Sequence, residues 1–236
     1  MIRLFTTHPL ISKKIVPLTD KQTHYLLHVM RCRDGQEMVC FNGVDGEWSG
    51  FLRQEKKKSF VFDPQKQLRP QNKPTFCALC PALIKKDNFD WVLQKATELN
   101  VTDIYPFRSE RSVVSTLNME RATAILSEAA EQSERLTLPN LHSVCTLPEL
   151  IEQLPSSVQI CYLSERGNNL GDIKKLTQPA FIVGPEGGFT EKELQLLAQH
   201  SGAISVNFPE TILRAETASI AAISCWQLGS YIPCKK

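Results

Sequence analysis

Gly184-Pro185-Glu186-Gly187-Gly188 holds three glycines and one proline, and its chemistry is recognition by bare backbone. With no side chain in the way, N–H and C=O groups can reach a ligand directly. The loop lacks the Gly-Lys-Ser/Thr ending of a P-loop and the G-x-G-x-x-G spacing of a dinucleotide turn, which argues against a nucleoside triphosphate. Cys77-Ala78-Leu79-Cys80 has metal or redox spacing, but it sits in an apolar strand-like run and no second C-x-x-C exists, so no metal is expected.

The elements that must position the glycine loop are legible on both sides of it. Phe181-Ile182-Val183 leads in as a strand; Thr190 and Glu193 have the spacing of a capping box, with Phe189 and Leu194 placed as a hydrophobic staple. A strand that empties through glycines into a capped helix exposes backbone at the carboxyl edge of a sheet, where α/β proteins bind ligands. Further on, Ile204-Ser205-Val206-Asn207-Phe208 reads as a short strand, followed by Pro209-Glu210-Thr211 and Ile212-Leu213-Arg214-Ala215-Glu216-Thr217-Ala218.

Together, G-P-E-G-G-F-T and I-L-R-A-E-T-A, about twenty residues apart, resemble the small-subunit (16S) ribosomal RNA uridine-N3 methyltransferase family, RsmE, of the knotted SPOUT class. His24 to Arg31, Gln94 to Leu99, and Glu131 to Arg135 followed by Pro139 are similar to the family as well, so the likeness covers most of the chain. The resemblance implies an α/β fold: a SPOUT-type trefoil-knotted parallel sheet with a small N-terminal PUA-like β-barrel that binds RNA. It implies S-adenosyl-L-methionine bent among three strand-exit loops. These are Leu163, Ser164 and Glu165; Gly184, Pro185, Glu186, Gly187 and Gly188; and Val206, Phe208, Ile212, Leu213, Ala215, Thr217 and Ala218. Leu163, Val206, Ile212 and Leu213 would wall the adenine.

Methyl transfer from a sulfonium depends on in-line placement of the nucleophile. The N3 proton of uridine must be lost or shared before that nitrogen can attack. On the resemblance, Arg214 would stabilise negative charge developing on the flanking carbonyls, and Glu216 or Glu186 would accept the proton. Each residue has a structural alternative: Arg214 pairing with Glu216 or a phosphate, Glu186 satisfying loop N–H groups, Thr217 closing a backbone hydrogen bond near the helix start. Arg3, Arg31, Arg33, Lys95, Arg108, Arg111 and Arg135 are expected RNA contacts, any one of which could instead be a solvated surface charge. The family commonly has Leu-Gly where Phe208-Pro209 stands and an arginine where Thr211 stands. Proline fixes the backbone and removes a donor, and any job of the missing arginine falls to Arg214 or is lost.

The 236 residues suffice for two domains. Residues 1 to 75 carry 13 Lys+Arg against 7 Asp+Glu, a net +6, and residues 76 to 236 carry 14 against 18, a net −4; the basic end is the better nucleic-acid candidate. Eight cysteines are too sparse for a disulfide scaffold and read as reduced thiols. Neither a signal-peptide core nor a bilayer-length apolar run is present, so a cytoplasmic protein without a membrane segment is expected.

Taken in order, residues 2 to 6 and 14 to 17 read as strands and Asp20 to Arg31 as a helix with Tyr25, Leu26, Val29 and Met30 near one face. Strands at Glu37 to Phe41, Glu47 to Arg53 and Ser59 to Asp63 suggest a small barrel over residues 1–70. Pro64 to Pro74 has linker composition, and a methyltransferase domain follows over 75–236. There Thr75 to Leu83 is a strand; Asp87 caps a helix burying Phe89, Val92, Leu93, Ala96 and Leu99, and Asn100 suits its left-handed C-cap. A strand at Asp103 to Phe107, a polar loop, and helices at Asn118 to Arg135 and Leu147 to Leu154 come next. After a strand at Val158 to Leu163 and its exit loop Ser164 to Gly167, a last helix aligns Ala218, Ala221, Ala222, Cys225 and Leu228. Core packing explains that face; the resemblance implies a homodimer interface there. Partners are then small-subunit ribosomal RNA, in an assembled or nearly assembled subunit, and a second copy. The rival readings are a knotted methyltransferase acting on another RNA or position, and a non-catalytic RNA-binding assembly protein.

Overall fold

In the computed structural model the chain begins with β1 (Ile2–Phe5) and β2 (Val16–Pro17), turns through α1 (Asp20–His24), and continues in β3 (Glu37–Phe41), β4 (Glu47–Lys56) and β5 (Ser59–Arg69). The structure describes residues 1–56, 59–168, 170–208 and 211–231, with backbone alone for 56, 165–168, 170–172, 230 and 231. Two units form: Met1–Lys73 with Ala130–Leu138, and Pro74–Ala129 with Pro139–Lys236.

The first unit is a five-stranded sheet in the order β1-β3-β4-β5-β2, with β1 parallel to β3 and the remaining pairs antiparallel. Leu4, Leu26, Met38, Leu52 and Phe62 are among its buried core. The expected helix to Arg31 is cut short. Thr19 closes a capping box over α1, but Tyr25–Val29 forms a π-helical turn and Arg31 stands at φ +53°. The wider turn re-phases the side chains, so only Leu26 of the expected face is buried, while Tyr25, Val29 and Met30 are exposed. The expected linker is also shorter. Strand β5 runs on to Arg69, taking in Pro64 at a register shift opposite Gly50, where a residue without an N–H is tolerated.

The segment at Ala130–Leu138 joins this unit through arginines. Arg3 donates from Nη1 to the carbonyl of Ala130 (2.8 Å) and from Nη2 to that of Arg135 (2.6 Å), and Arg69 donates to that of Glu134 (2.8 Å). Guanidinium groups thus cap the carbonyls left open where a helix ends. Glu47 binds both arginines: its carboxylate accepts from Arg3 Nε at 2.7 Å and from Arg69 Nε and Nη2 at 2.7 Å each. Burial opposes ionisation of Glu47, but hydrogen bonds and charge from Arg69 and Arg3 outweigh it and hold the carboxyl below its ordinary range.

The second unit runs β6 (Ala78–Pro81), α2 (Lys86–Glu98), β7 (Asp103–Ile104), β8 (Phe107–Arg108), α3 (Met119–Gln132, ending in the first unit), β9 (Asn140–Leu141) and β10 (Cys145–Thr146). It continues with α4 (Leu147–Gln153), β11 (Gln159–Asn168), β12 (Pro179–Val183), α5 (Glu191–Gln199), β13 (Ile204–Val206) and α6 (Ala215–Tyr231). Six strands form a parallel sheet ordered β13-β11-β12-β6-β7-β9, and β8 pairs with β10 in a separate parallel ribbon. Both faces of the sheet are covered, so β6 and β12 are buried along their whole length, and successive residues enter opposite cores with the period of two that a pleated sheet dictates. Leu79, Cys161, Leu163, Phe181 and Val183 share one core with residues of α2, α3 and α6. Ala78, Cys80, Ile160, Tyr162, Ala180 and Ile182 share the other with residues of α4 and α5.

Three local readings change. Helix α2 starts after Lys85, so Asp87 lies inside its first turn, where a carboxylate still complements the helix dipole. Residues Ser164 to Gly167 continue β11 instead of leaving it, with a register shift against β13 between Leu163 and Asn168. The span read as one strand from Asp103 to Phe107 is two short strands in different sheets. Asn100 adopts φ +57° at the end of α2, the left-handed position expected of it. Cys77 and Cys80 fall in opposite cores. Burial pushes Cys80 well above the ordinary thiol range and Cys161 up to about 12. No disulfide joins the cysteines of the described residues, and no group of three or more His, Cys, Asp or Glu there is placed to hold a metal. Among the described residues no helix is long and apolar enough to cross a membrane.

Candidate active site

Register sets where the three expected segments meet, the first as an extension of β11 and the other two as loops after β12 and β13. Leu163 of β11 lies opposite Val183 of β12 on one side and Val206 of β13 on the other. Adjacent strands are about 4.8 Å apart, so Ser164, Gly184 and Asn207 follow from neighbouring rows at one carboxyl edge. The apolar members converge behind them: Leu163, Val206, Ala215 and Ala218 are buried in one core, with Phe208 and Leu213 packed against it.

The glycine loop is built as a tight turn, with Gly188 N–H donating to the Pro185 carbonyl at 2.8 Å and Gly188 at φ +68°, a conformation that favours glycine. A Cβ on Gly187 would stand 3.3 Å from Arg111 Cβ, so side chain and loop already touch. Arg111 Nη1 also donates to the Gly187 carbonyl at 2.8 Å, which makes Arg111 a brace of this loop. After the turn, Thr190 Oγ1 accepts from Glu193 N–H at 3.3 Å and Glu193 Oε2 accepts from Thr190 N–H at 2.8 Å, completing the capping box. Phe189, beneath the loop, joins Leu194 in one core. Thr190→Ala should cost about 1 kcal/mol of stability, read as a shifted denaturant midpoint at unchanged slope.

Not every expected residue converges. Ile212 is 82 % exposed and stands off the core; the chain on its N-terminal side packs Phe208, not Ile212, against it. Glu186, Arg214 and Thr217 are exposed. Among the described residues neither the Glu186 carboxylate nor the Thr217 hydroxyl makes a hydrogen bond, and Arg214 forms no ion pair with Glu216. The Arg214 carbonyl accepts from Ala218 N–H at 2.8 Å as α6 begins, and its guanidinium is left for another partner. Glu216, in the first turn of α6, has a buried Oε2 with no hydrogen-bond partner among the described residues. Ser164 is half-buried; the side chain of Glu165, and Pro209 with its expected loss of a donor, lie outside the described residues. Thr211 is exposed.

The expected RNA contacts divide. Arg3 is 9 % exposed at its side chain, lies 3.7 Å over the Phe41 ring and donates to Glu47 and two carbonyls, so its guanidinium is committed within the first unit. Arg135 is also buried, with Nε donating to Thr137 Oγ1. Lys95 pairs with Glu98 at 2.8 Å on α2. Arg31, Arg33, Arg108 and Arg111 remain exposed.

A parallel sheet with ligand-type loops at its carboxyl edge, preceded by a smaller sheet unit, agrees with two family matches. Residues 71–227 match an RNA methyltransferase domain and residues 18–65 an RNA methyltransferase PUA domain. The chain is a member of this class of two-domain RNA methyltransferases. More narrowly, it belongs to the ribosomal RNA small subunit methyltransferase E family. It is 32 % identical to the Rickettsia conorii member over 219 residues, covering 90 % of this chain and 89 % of that one. It is 29 % identical to the Bacillus subtilis member, covering 88 % and 87 %. The crystal structure of the Neisseria gonorrhoeae member bound to S-adenosyl methionine is 31 % identical, covers 97 % of both chains and superposes with a TM-score of 0.87.

The site fits that cofactor on its own geometry. Gly188 opens onto free space at the β12 edge, apolar residues line the core behind the three segments, and the buried Glu216 Oε2 has no hydrogen-bond partner among the described residues.

Proposed function

We propose that this protein transfers a methyl group from S-adenosyl-L-methionine to N3 of a uridine in 16S ribosomal RNA. The observation that carries the reading is the shared register of Leu163, Val183 and Val206, which brings the extension of β11 and the loops after β12 and β13 to one edge in a chain of this family. Bound S-adenosyl-L-methionine supplies an electrophilic methyl group. The backbone of Gly184 to Gly188 and the apolar residues Leu163, Val206 and Leu213 hold and orient it. The uncommitted Arg214 side chain takes the charge that develops on the uracil carbonyls as the N3 proton leaves, and Glu216 accepts that proton. Arg31, Arg33, Arg108 and Arg111 contact the RNA backbone. The reading includes a trefoil knot, a homodimer packed through the Ala221, Cys225 and Leu228 face of α6, a cytoplasmic location, and a substrate in an assembled or nearly assembled subunit.

The deciding experiment is methyl transfer to 16S RNA and to small subunits lacking the modification, followed by nucleoside mass spectrometry. 3-Methyluridine is expected; a different methylated nucleoside, or none, overturns the assignment. For the cofactor loop, Gly187→Val forces branched carbons against Arg111 and should weaken S-adenosyl-L-methionine binding at least tenfold, or about 1.4 kcal/mol, in a protein that still folds. Unchanged affinity by calorimetry would remove this loop from the site.

A further inference from the structure

A cavity of ≈ 610 Å³ opens in the second unit between the 108–115 segment, the Thr146–Pro148 turn and α5. We infer that it is a nucleotide subsite that takes the RNA residue neighbouring the target uridine, with Arg108 and Lys192 on its phosphate. The inference rests on the proposed function and adds to it a substrate pocket and a residue, Lys192, that no motif marked.

Its size is in the range of sites that enclose small organic ligands, far more than an isolated ion needs. Its place follows from topology. Phe107 and Arg108 of β8 run parallel beside Cys145 and Thr146 of β10, so the cavity lies past the carboxyl ends of two parallel strands, the ligand edge of an α/β unit. The same segment that forms one wall braces the glycine loop through Arg111 and Gly187. It is also tied to α5, since the Glu110 N–H donates to Glu193 Oε1 at 2.9 Å.

Charge then selects the occupant. Glu193 is buried and its carboxylate is committed to the Thr190 and Glu110 N–H groups, so it presents little open negative surface. Arg108 and Lys192 are exposed and make no hydrogen bond or ion pair among the described residues; Arg108 acts only through space, helping to keep Glu149 low after the hydrogen bonds from Thr146. Two uncommitted cations flank a wall of Val114, Leu147 and Leu196, the combination that suits a phosphate carrying an apolar-faced base. The rim also holds Ser115 and the exposed Glu110 carboxylate, acceptors for a ribose 2′-hydroxyl, which DNA lacks.

The test uses the full-length protein with unmodified 16S RNA as probe. Lys192→Ala removes one cation, and Ser115→Trp fills the cavity from an exposed loop position. Lys192→Ala should weaken RNA binding about tenfold or more, as loss of one charge-assisted contact does, and Ser115→Trp should weaken it to a similar extent by occupying the cavity, while S-adenosyl-L-methionine affinity stays within twofold. Lys192→Ala should also lower the slope of log K against log salt by about 0.7. RNA affinity and salt slope equal to wild type in both variants would overturn the subsite, as would an equal loss of affinity for DNA of the same sequence. Because binding is read directly, a wild-type protein that binds this RNA but makes no 3-methyluridine would sink the proposed function and leave the subsite standing.

Discussion

Arg214→Ala is expected to lower the methylation rate constant by about 10² to 10³, the loss typical when one donor to a developing negative charge is removed. S-adenosyl-L-methionine binding should stay near normal, because the guanidinium is exposed and makes no ion pair with Glu216 among the described residues. That separation matters. A residue clamping the loops would lose affinity and rate together, whereas one acting on charge that appears only during the reaction loses rate alone. Single-turnover methylation with saturating cofactor, beside calorimetric titration of the cofactor, reads both quantities. Equal turnover would remove Arg214 from catalysis; a parallel collapse of binding would make it a structural clamp.

Glu47→Ala should have the largest effect on stability. The carboxylate sits between Arg3 and Arg69 with side-chain exposures of 9 % for itself and for Arg3, and its removal strands a buried guanidinium. Breaking a buried pair from one side costs about 3–5 kcal/mol, and the change should appear in the fluorescence of the adjacent Trp48 during denaturation. The pH dependence has a defined sign. A carboxyl held below its unfolded value contributes stability that is fully present above that value, and loses it as pH falls through the lower folded value. Glu47→Gln should therefore flatten the acid limb of the stability profile. A variant as stable as wild type, with an unchanged acid limb, would show that Arg3 and Arg69 find other acceptors.

What could be read from the sequence was local. The Thr190–Glu193 box, the left-handed Asn100 and the apolar run of β12 depend on residues within a turn or so of each other, and the structure has each where the spacing put it. What failed depended on distant partners. Arg3 looked like a free cation because its acceptors are at Glu47, Ala130 and Arg135. Pro64 looked like a linker residue because strand β5 is held by its neighbour β4, and pairing overrode composition. Tyr25, Val29 and Met30 shared a face only for a helix of 3.6 residues per turn, and the chain there winds wider. The loop at the β12 edge was legible from its own glycines; the cavity beside it, assembled from residues near 110, 147 and 193, had no contiguous signature.

The return of Ala130–Leu138 to the first unit bears on how the protein is made. During synthesis residues 1–73 emerge with Arg3 and Arg69 lacking the carbonyls of Ala130, Glu134 and Arg135, which follow 57 to 62 residues later. At elongation speeds of about 5–20 residues per second, the nascent sheet waits roughly 3–13 s before its last piece leaves the exit tunnel. Expressing the leading segment alone would leave that wait permanent.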